Sequence, residues 1–393
     1  MSTFDRCIPL SVPNFEGNEK KYVDDAVEQT WVSTGGAYIV KMEEQLKNFL
    51  GTERVACVQS GTAALHLSLI ESGVESGDVV LVPPLTFIAA VNPVRYLGAE
   101  PVFIDCDDSF CMDPQKLRKF CEEECTFING KLNYCGKRVK TVVVVHVFGN
   151  MADMEGIMDV AQDFNLTVVE DATEALGTKY ISGRYAGKYA GTIGNFGAYS
   201  FNGNKIITTG GGGAITARKA SDVDHIKYLS TQAKDDPHYY IHNEIGYNYR
   251  MTNLQAALGV AQMEELPGFI EKKHLNYNLY CELFDGFKLA YIMPFRKGIY
   301  SNQWFYSLCI DRNKIKASMR DIVTDFEKHG VGSRPIWGLI NEQKPYQGYH
   351  TFNLEKAPYY ADRIINIPCS TGLKKDDVEY AAKVIKEELE KLK

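Results

Sequence analysis

Lys205 is the only charged residue in the glycine-rich segment from Tyr199 to Ala214, which reads YSFNGNKIITTGGGGA. Its neighbours in sequence include no carboxylate. Desolvation without a counter-ion favours the neutral amine, which is the nucleophilic form. The competing reading is a surface lysine in a loop, the usual fate of this residue type. Asp171 follows the run Thr167 to Glu170, where a strand would end. Ligands in open α/β sheets gather at the carboxyl ends of strands. A carboxylate against a pyridine nitrogen favours the protonated ring by about 1–3 pK units, or about 1.4–4 kcal/mol. Alone, Asp171 reads first as a loop acid capping the next turn. Together, the amine and the acid are the two protein groups that pyridoxal phosphate (PLP) chemistry needs most.

Further residues fit such a site. Ser60, Gly61, Thr62 and Ala63 follow an apolar run and open an apolar helix, whose free N–H groups and dipole suit a phosphate. The same residues also read as a plain N-cap. Ser200, five residues before Lys205, can donate to the same anion. Phe87 follows the run at Val79 and can stack on a ring or sit in the core. Gly210 to Gly213 matches no nucleotide loop and reads as backbone that turns tightly or passes close to something. His146, at a predicted strand end, either faces the pocket or is a hydrogen-bonded structural residue; His66 reads as helix packing.

These residues need a scaffold. Short apolar runs alternate with helical patterns: strands are expected at 55–58, 79–82, 101–104, 141–146, 167–170, 197–201 and 213–216. Several runs are continuous rather than alternating, as in strands buried on both faces. Helices are expected between them at 62–72, 88–97, 114–124 and 154–163, preceded by two at 17–29 and 38–49. This alternation implies an α/β fold with a mostly parallel sheet covered on both sides. Residues 122–140 read as an inserted hairpin or loop. A long helix from Met251 to about Leu283 leads into a smaller α/β region. The division falls near residue 265, giving a large domain over 1–265 with an N-terminal helical arm and a small one over 266–393.

The 393 residues are 45% hydrophobic and 24% charged, as in an ordinary soluble globular protein, with a net charge of −7 that argues against a nucleic-acid binder. Met1 to Leu10 contains Asp5, Arg6 and no apolar core, and no run approaches a membrane span, so a cytoplasmic location is expected. Ten scattered cysteines read as free thiols. The cluster from Cys106 to Cys135 lacks paired C-x2-C spacing and contains no histidine, and no metal site is expected.

In order and spacing, the motifs resemble the DegT-like family of PLP-dependent sugar-nucleotide aminotransferases of fold type I. The resemblance runs from Val12–Asn18 through Ser60–Leu65, Thr86–Ile88, Val169–Asp171 and Ser200–Lys205 to Gly246–Arg250 and Ser333–Trp337. It implies a seven-stranded, mostly parallel sheet between helices, with a smaller C-terminal domain. It implies Lys205 as Schiff-base lysine, Asp171 under the pyridine nitrogen, Phe87 over the ring, and Gly61, Thr62, Ala63 and Ser200 at the phosphate. It places Glu174 near the cofactor's phenolic oxygen and Asn248 at the phosphate of a neighbouring subunit, hence a homodimer with shared sites. Glu174 and the Thr209–Gly213 run depart from many relatives. They resemble the branch that aminates UDP-linked 4-keto-6-deoxy-N-acetylhexosamines on the bacillosamine and legionaminic acid routes, with glutamate as donor. Lys41, Arg250 and Arg334 are the candidate cations for the sugar diphosphate. Two other readings stand beside this one: a sugar dehydratase on the same scaffold, against which Lys205 argues, and a non-catalytic homologue, against which Lys205 and Asp171 together argue.

Overall fold

A computed structural model of the chain describes residues 6–236 and 238–393. Two helices, α1 (Glu19–Glu28) and α2 (Ala37–Leu50), precede the first strand, β1 (Ala56–Val58). There follow α3 (Gly61–Glu71), β2 (Val79–Val82), the short α4 (Asn92–Tyr96), β3 (Glu100–Ile104) and α5 (Pro114–Glu123). The helix expected over 88–97 is broken: Ile88–Ala90 is a 3-10 turn and the α-helix begins only at Asn92, with Pro93 in its first turn. The expected insertion is a hairpin, β4 (Thr126–Ile128) and β5 (Lys131–Tyr134), that runs on into the long β6 (Lys137–Val145). Then come α6 (Met154–Asp163), β7 (Thr167–Asp171), β8 (Lys179–Tyr180), β9 (Phe196–Ser200), β10 (Gly213–Ala217) and α7 (Ala220–Ser230).

The large sheet has the order β1-β10-β9-β7-β6-β2-β3. Adjacent strands from β9 to β3 are parallel, and β10 is antiparallel to both β1 and β9. Within this core β10 alone therefore runs against the rest. The carboxyl ends of β1, β2, β6, β7 and β9 consequently open on one edge. Val142 to Val144, Val168 and Val169 are completely buried, as continuous apolar strands between two helical layers must be.

A two-stranded ribbon, β11 (Lys234–Asp236) with β12 (Ile241–His242), precedes the 32-residue helix α8 (Asn253–Phe284). Thr252 and Gln255 form a reciprocal capping box at its start, satisfying two donors that the first turn leaves free. Beyond α8 lie β13 (Ala290–Ile292), β14 (Ile299–Tyr300), β15 (Tyr306–Ile310), α9 (Met319–Lys328), β16 (Arg334–Pro335), β17 (Thr351–Phe352), α10 (Lys356–Ala361), β18 (Ile364–Ile367) and α11 (Lys375–Lys391). Strands β13, β15, β18 and β16 form a second, antiparallel sheet. A division at residue 265 cuts α8, and pairings cross it: β17 joins β3, β14 joins β8, and Ile8 bridges to Val331. Leu10 lies on the small-sheet side, where its carbonyl accepts from Cys369 N–H at 2.8 Å.

Candidate active site

The carboxyl edge of the large sheet and the facing small sheet enclose a cavity of about 760 Å³. Lys205, Asp171, Glu174, Gly61, Thr62, Phe87, Ser200 and Arg334 all line it. The amine and the acid singled out from sequence thus share one cavity.

Asp171 is the last residue of β7 and is 3% exposed. Its Oδ1 accepts from Thr173 N–H at 3.1 Å. Burial raises its pKa above the ordinary carboxylate value, against the opposing hydrogen bonds from Thr173 and the charge of Lys205. A buried carboxylate with so little local compensation suits a cationic N–H donor from a ligand.

Lys205 is not without a counter-ion, contrary to the sequence expectation. Its Nζ lies 3.4 Å from Glu174 Oε1, and both side chains are largely buried. The turn after β7 carries Glu174 to a lysine 31 positions away, a proximity that local sequence cannot reveal. Glu174 Oε2 accepts from Phe148 N–H at 2.8 Å, and burial raises the Glu174 pKa as well. Lys205 Nζ also sits over the Trp304 ring, 4.1 Å from its centroid. The indole is fixed by donating from Nε1 to Asn204 O at 2.7 Å and by stacking on Phe305.

The start of α3 faces the same space. Ser60 caps the helix by accepting from Ala63 N–H at 3.1 Å. That donor is therefore taken, and Ala63 does not line the cavity, whereas Gly61 and Thr62 do. A Cβ on Gly61 would stand 2.8 Å from Ser200 Cβ and 3.0 Å from Thr173 Cγ2, so only glycine lets β9 approach the helix start this closely. Gly213 is equally confined: its Cβ would stand 2.6 Å from Tyr199 O and 2.7 Å from Ser60 O. Within the glycine run, Gly213 is thus backbone passing close to backbone, whereas Gly212 meets the side chains of Thr209 and Met251 and Gly210 meets nothing. The N-terminus of α3 facing the cavity, the small-residue cradle and the buried Asp171 fit the phosphate and ring nitrogen of PLP.

Other expected residues lie elsewhere. Lys41 sits over the Tyr22 ring, 4.0 Å from Glu264, and Arg250 bridges to Val58; neither lines the cavity. Asn248 is exposed, bridges to Thr231 and is also outside this chain's own cavity. His146 is fully buried against Glu170, Nε2 to Oε2 at 2.8 Å, and takes the structural role. His66 packs against Tyr96 and Tyr247. Sequence reasoning missed the aromatic wall of Phe148, Trp304, Phe305 and Trp337. The signal lay in rarity: the chain has 3 tryptophans, and two of them line the cavity.

The DegT/DnrJ/EryC1/StrS aminotransferase family model matches residues 13–386. A putative pyridoxal phosphate-dependent aminotransferase, EpsN of Bacillus subtilis, is 36% identical over 86% of this chain and 83% of its own. The GDP-perosamine synthase of Escherichia coli O157:H7 is 33% identical over 97% of this chain and 98% of its own. Among solved structures, Helicobacter pylori PseC, an aminotransferase involved in the biosynthesis of pseudoaminic acid, superposes with a TM-score of 0.88 at 23% identity, covering 98% of this chain and 100% of that one. With a lysine, a buried aspartate and a helix N-terminus converging on one cavity, and with a match over nearly its whole length, the chain belongs to the DegT/DnrJ/EryC1/StrS family and is a PLP-dependent sugar aminotransferase.

Proposed function

We propose that this enzyme moves an amino group from glutamate to the C4 ketone of a UDP-linked 4-keto-6-deoxy-N-acetylhexosamine. The observation that carries the reading is the shared cavity of Lys205 and Asp171, walled on its far side by Arg334 and the aromatic residues of the small-sheet region. The UDP branch is supported by Glu174 and the Thr209–Gly213 run. A GDP-linked 4-keto sugar is the second reading, favoured by the end-to-end similarity to a GDP-perosamine synthase.

When bound, the cofactor supplies an electron sink for charge developing at the amino-bearing carbon. The chain's own residues do the rest. Gly61 and Thr62 N–H, with Ser200 Oγ, bind a phosphate at the start of α3. Asp171 would accept a hydrogen bond from a protonated ring nitrogen and so hold that proton in place. Lys205 Nζ takes a proton from one carbon and returns it to another. Trp304 shields that amine from bulk water. Arg334 is the one candidate cation on the cavity wall and pairs with the sugar diphosphate.

The functional unit we propose is a homodimer with shared sites. The segment bearing Asn248 also carries Tyr239, Tyr240 and Ile245, which are 72–86% exposed. An apolar ribbon of this kind suits burial against a second copy. Asn248 would then serve the partner's phosphate site.

The test is incubation with glutamate and a panel of UDP- and GDP-linked 4-keto sugars, with products identified by mass and NMR. Amination of a UDP-linked acceptor supports the first reading. Turnover confined to GDP-linked acceptors replaces it with the second.

A further inference from the structure

Among the described residues that line the cavity, one buried acid has no part in the mechanism above. Glu174 lies on the cavity wall, its side chain 4% exposed, with Oε1 3.4 Å from Lys205 Nζ. Its other oxygen is anchored by Phe148 N–H at 2.8 Å, on a residue held at φ 56°, ψ 23°. Phe148 is in turn packed by Trp304, Phe305 and Trp337. The carboxylate is therefore fixed at both ends and faces the amine.

We propose that Glu174 is a catalytic residue that accepts the proton of Lys205. The transfer breaks an Nζ–H bond and forms an Oε1–H bond, leaving a neutral amine beside a neutral acid. No other reactant is needed, and the pair's net charge is zero before and after. The inference rests on the reading of Lys205 as the reacting amine.

Two features of the surroundings support the neutral arrangement. Both side chains are largely buried, where two separate charges are costly. Burial raises the pKa of Glu174, and the neighbouring Asp171 adds to that shift. The remaining groups act the other way or stand off: Lys205 and Phe148 N–H favour the carboxylate, Arg334 is across the cavity lining, and His146 is turned into its pair with Glu170. A proton shared by such a pair can sit on either partner, so Glu174 can take it from Lys205 without releasing it to solvent.

A pair sharing one proton titrates as a unit. Its fraction of neutral amine is then constant between the two macroscopic pKa values. The test is acetylation of Lys205 by acetic anhydride in the full-length, cofactor-free chain, followed by peptide mass spectrometry. In the wild type, the Lys205 labelling rate should change less than about twofold from about pH 6 to pH 8. In Glu174→Gln, whose amide oxygen keeps the Phe148 contact, the rate should fall about tenfold per pH unit on descent, as for an isolated amine. A wild-type rate that falls about tenfold per unit overturns the proposal whether or not the variant folds. A plateau that survives in Glu174→Gln overturns it too, because another group would then be the acceptor. Failure of the aminotransferase reading shows separately, as absence of aminated product in the sugar panel.

Discussion

Glu170 and Asp171 are consecutive residues whose carboxylates face opposite sides of β7. Glu170 points into the protein, where it meets His146 Nε2 at 2.8 Å and accepts from the backbone N–H groups of Gly191, Ile193 and Gly194. Asp171 points into the cavity. Strand geometry turns successive side chains to opposite faces, so one acid becomes structural and the other available to a ligand. His146 Nδ1 accepts from Ala152 N–H at 3.2 Å, so Nε2 carries the proton given to Glu170. The pair locks the glycine-containing turn at 191–194 to the strand that presents Asp171.

Glu170→Gln should therefore destabilise the protein by at least about 2 kcal/mol, because an amide presents its own N–H groups to donors that need an anion. Urea unfolding of the cofactor-free protein measures this. A change below about 0.5 kcal/mol would show that the turn does not depend on the charge.

Lys205→Ala should abolish turnover and leave no site at which borohydride fixes the cofactor to the chain. Mass spectrometry of the reduced protein reads the result. Cofactor retained covalently by the variant would move the reacting amine elsewhere.

Asp171→Asn should retain cofactor but transfer protons far more slowly in single-turnover measurements. It should also stabilise the cofactor-free protein. The pKa of Asp171 is raised in the folded state, so between the unfolded and folded values the native form binds more protons than the unfolded form. Stability contributed by this group is accordingly lost as pH rises through that window. Removing the charge should raise stability above the window and leave it unchanged at a pH below the ordinary aspartate value. Thermal unfolding at the two pH values checks the sign; equal shifts at both would contradict the assignment.

Gly61→Ala should cost about 1–3 kcal/mol through contact with Ser200 and Thr173, and should weaken phosphate-dependent cofactor binding. Adding Ser200→Gly should recover stability while leaving affinity low, because the hydroxyl is gone. Cofactor titration alongside chemical unfolding separates the two effects. Full recovery of affinity in the double variant would remove Ser200 from the phosphate site.

Much of the molecule was legible in the chain itself. All seven core strands of the large sheet lie within a few residues of their apolar runs, because strands buried on both faces must be continuously apolar. The places of Lys205, Asp171, Gly61, Thr62, Ser200 and Phe87 followed from motif order, since parallel strands deliver successive loops to one edge. Tertiary structure decided the rest. It brought Glu174 to Lys205, gave the amine an indole cover from Trp304, and left Lys41 and Arg250 off the cavity wall. These relationships depend on where distant segments pack, and a charge's neighbours across 31 or 99 positions are set by that packing rather than by its own surroundings in sequence.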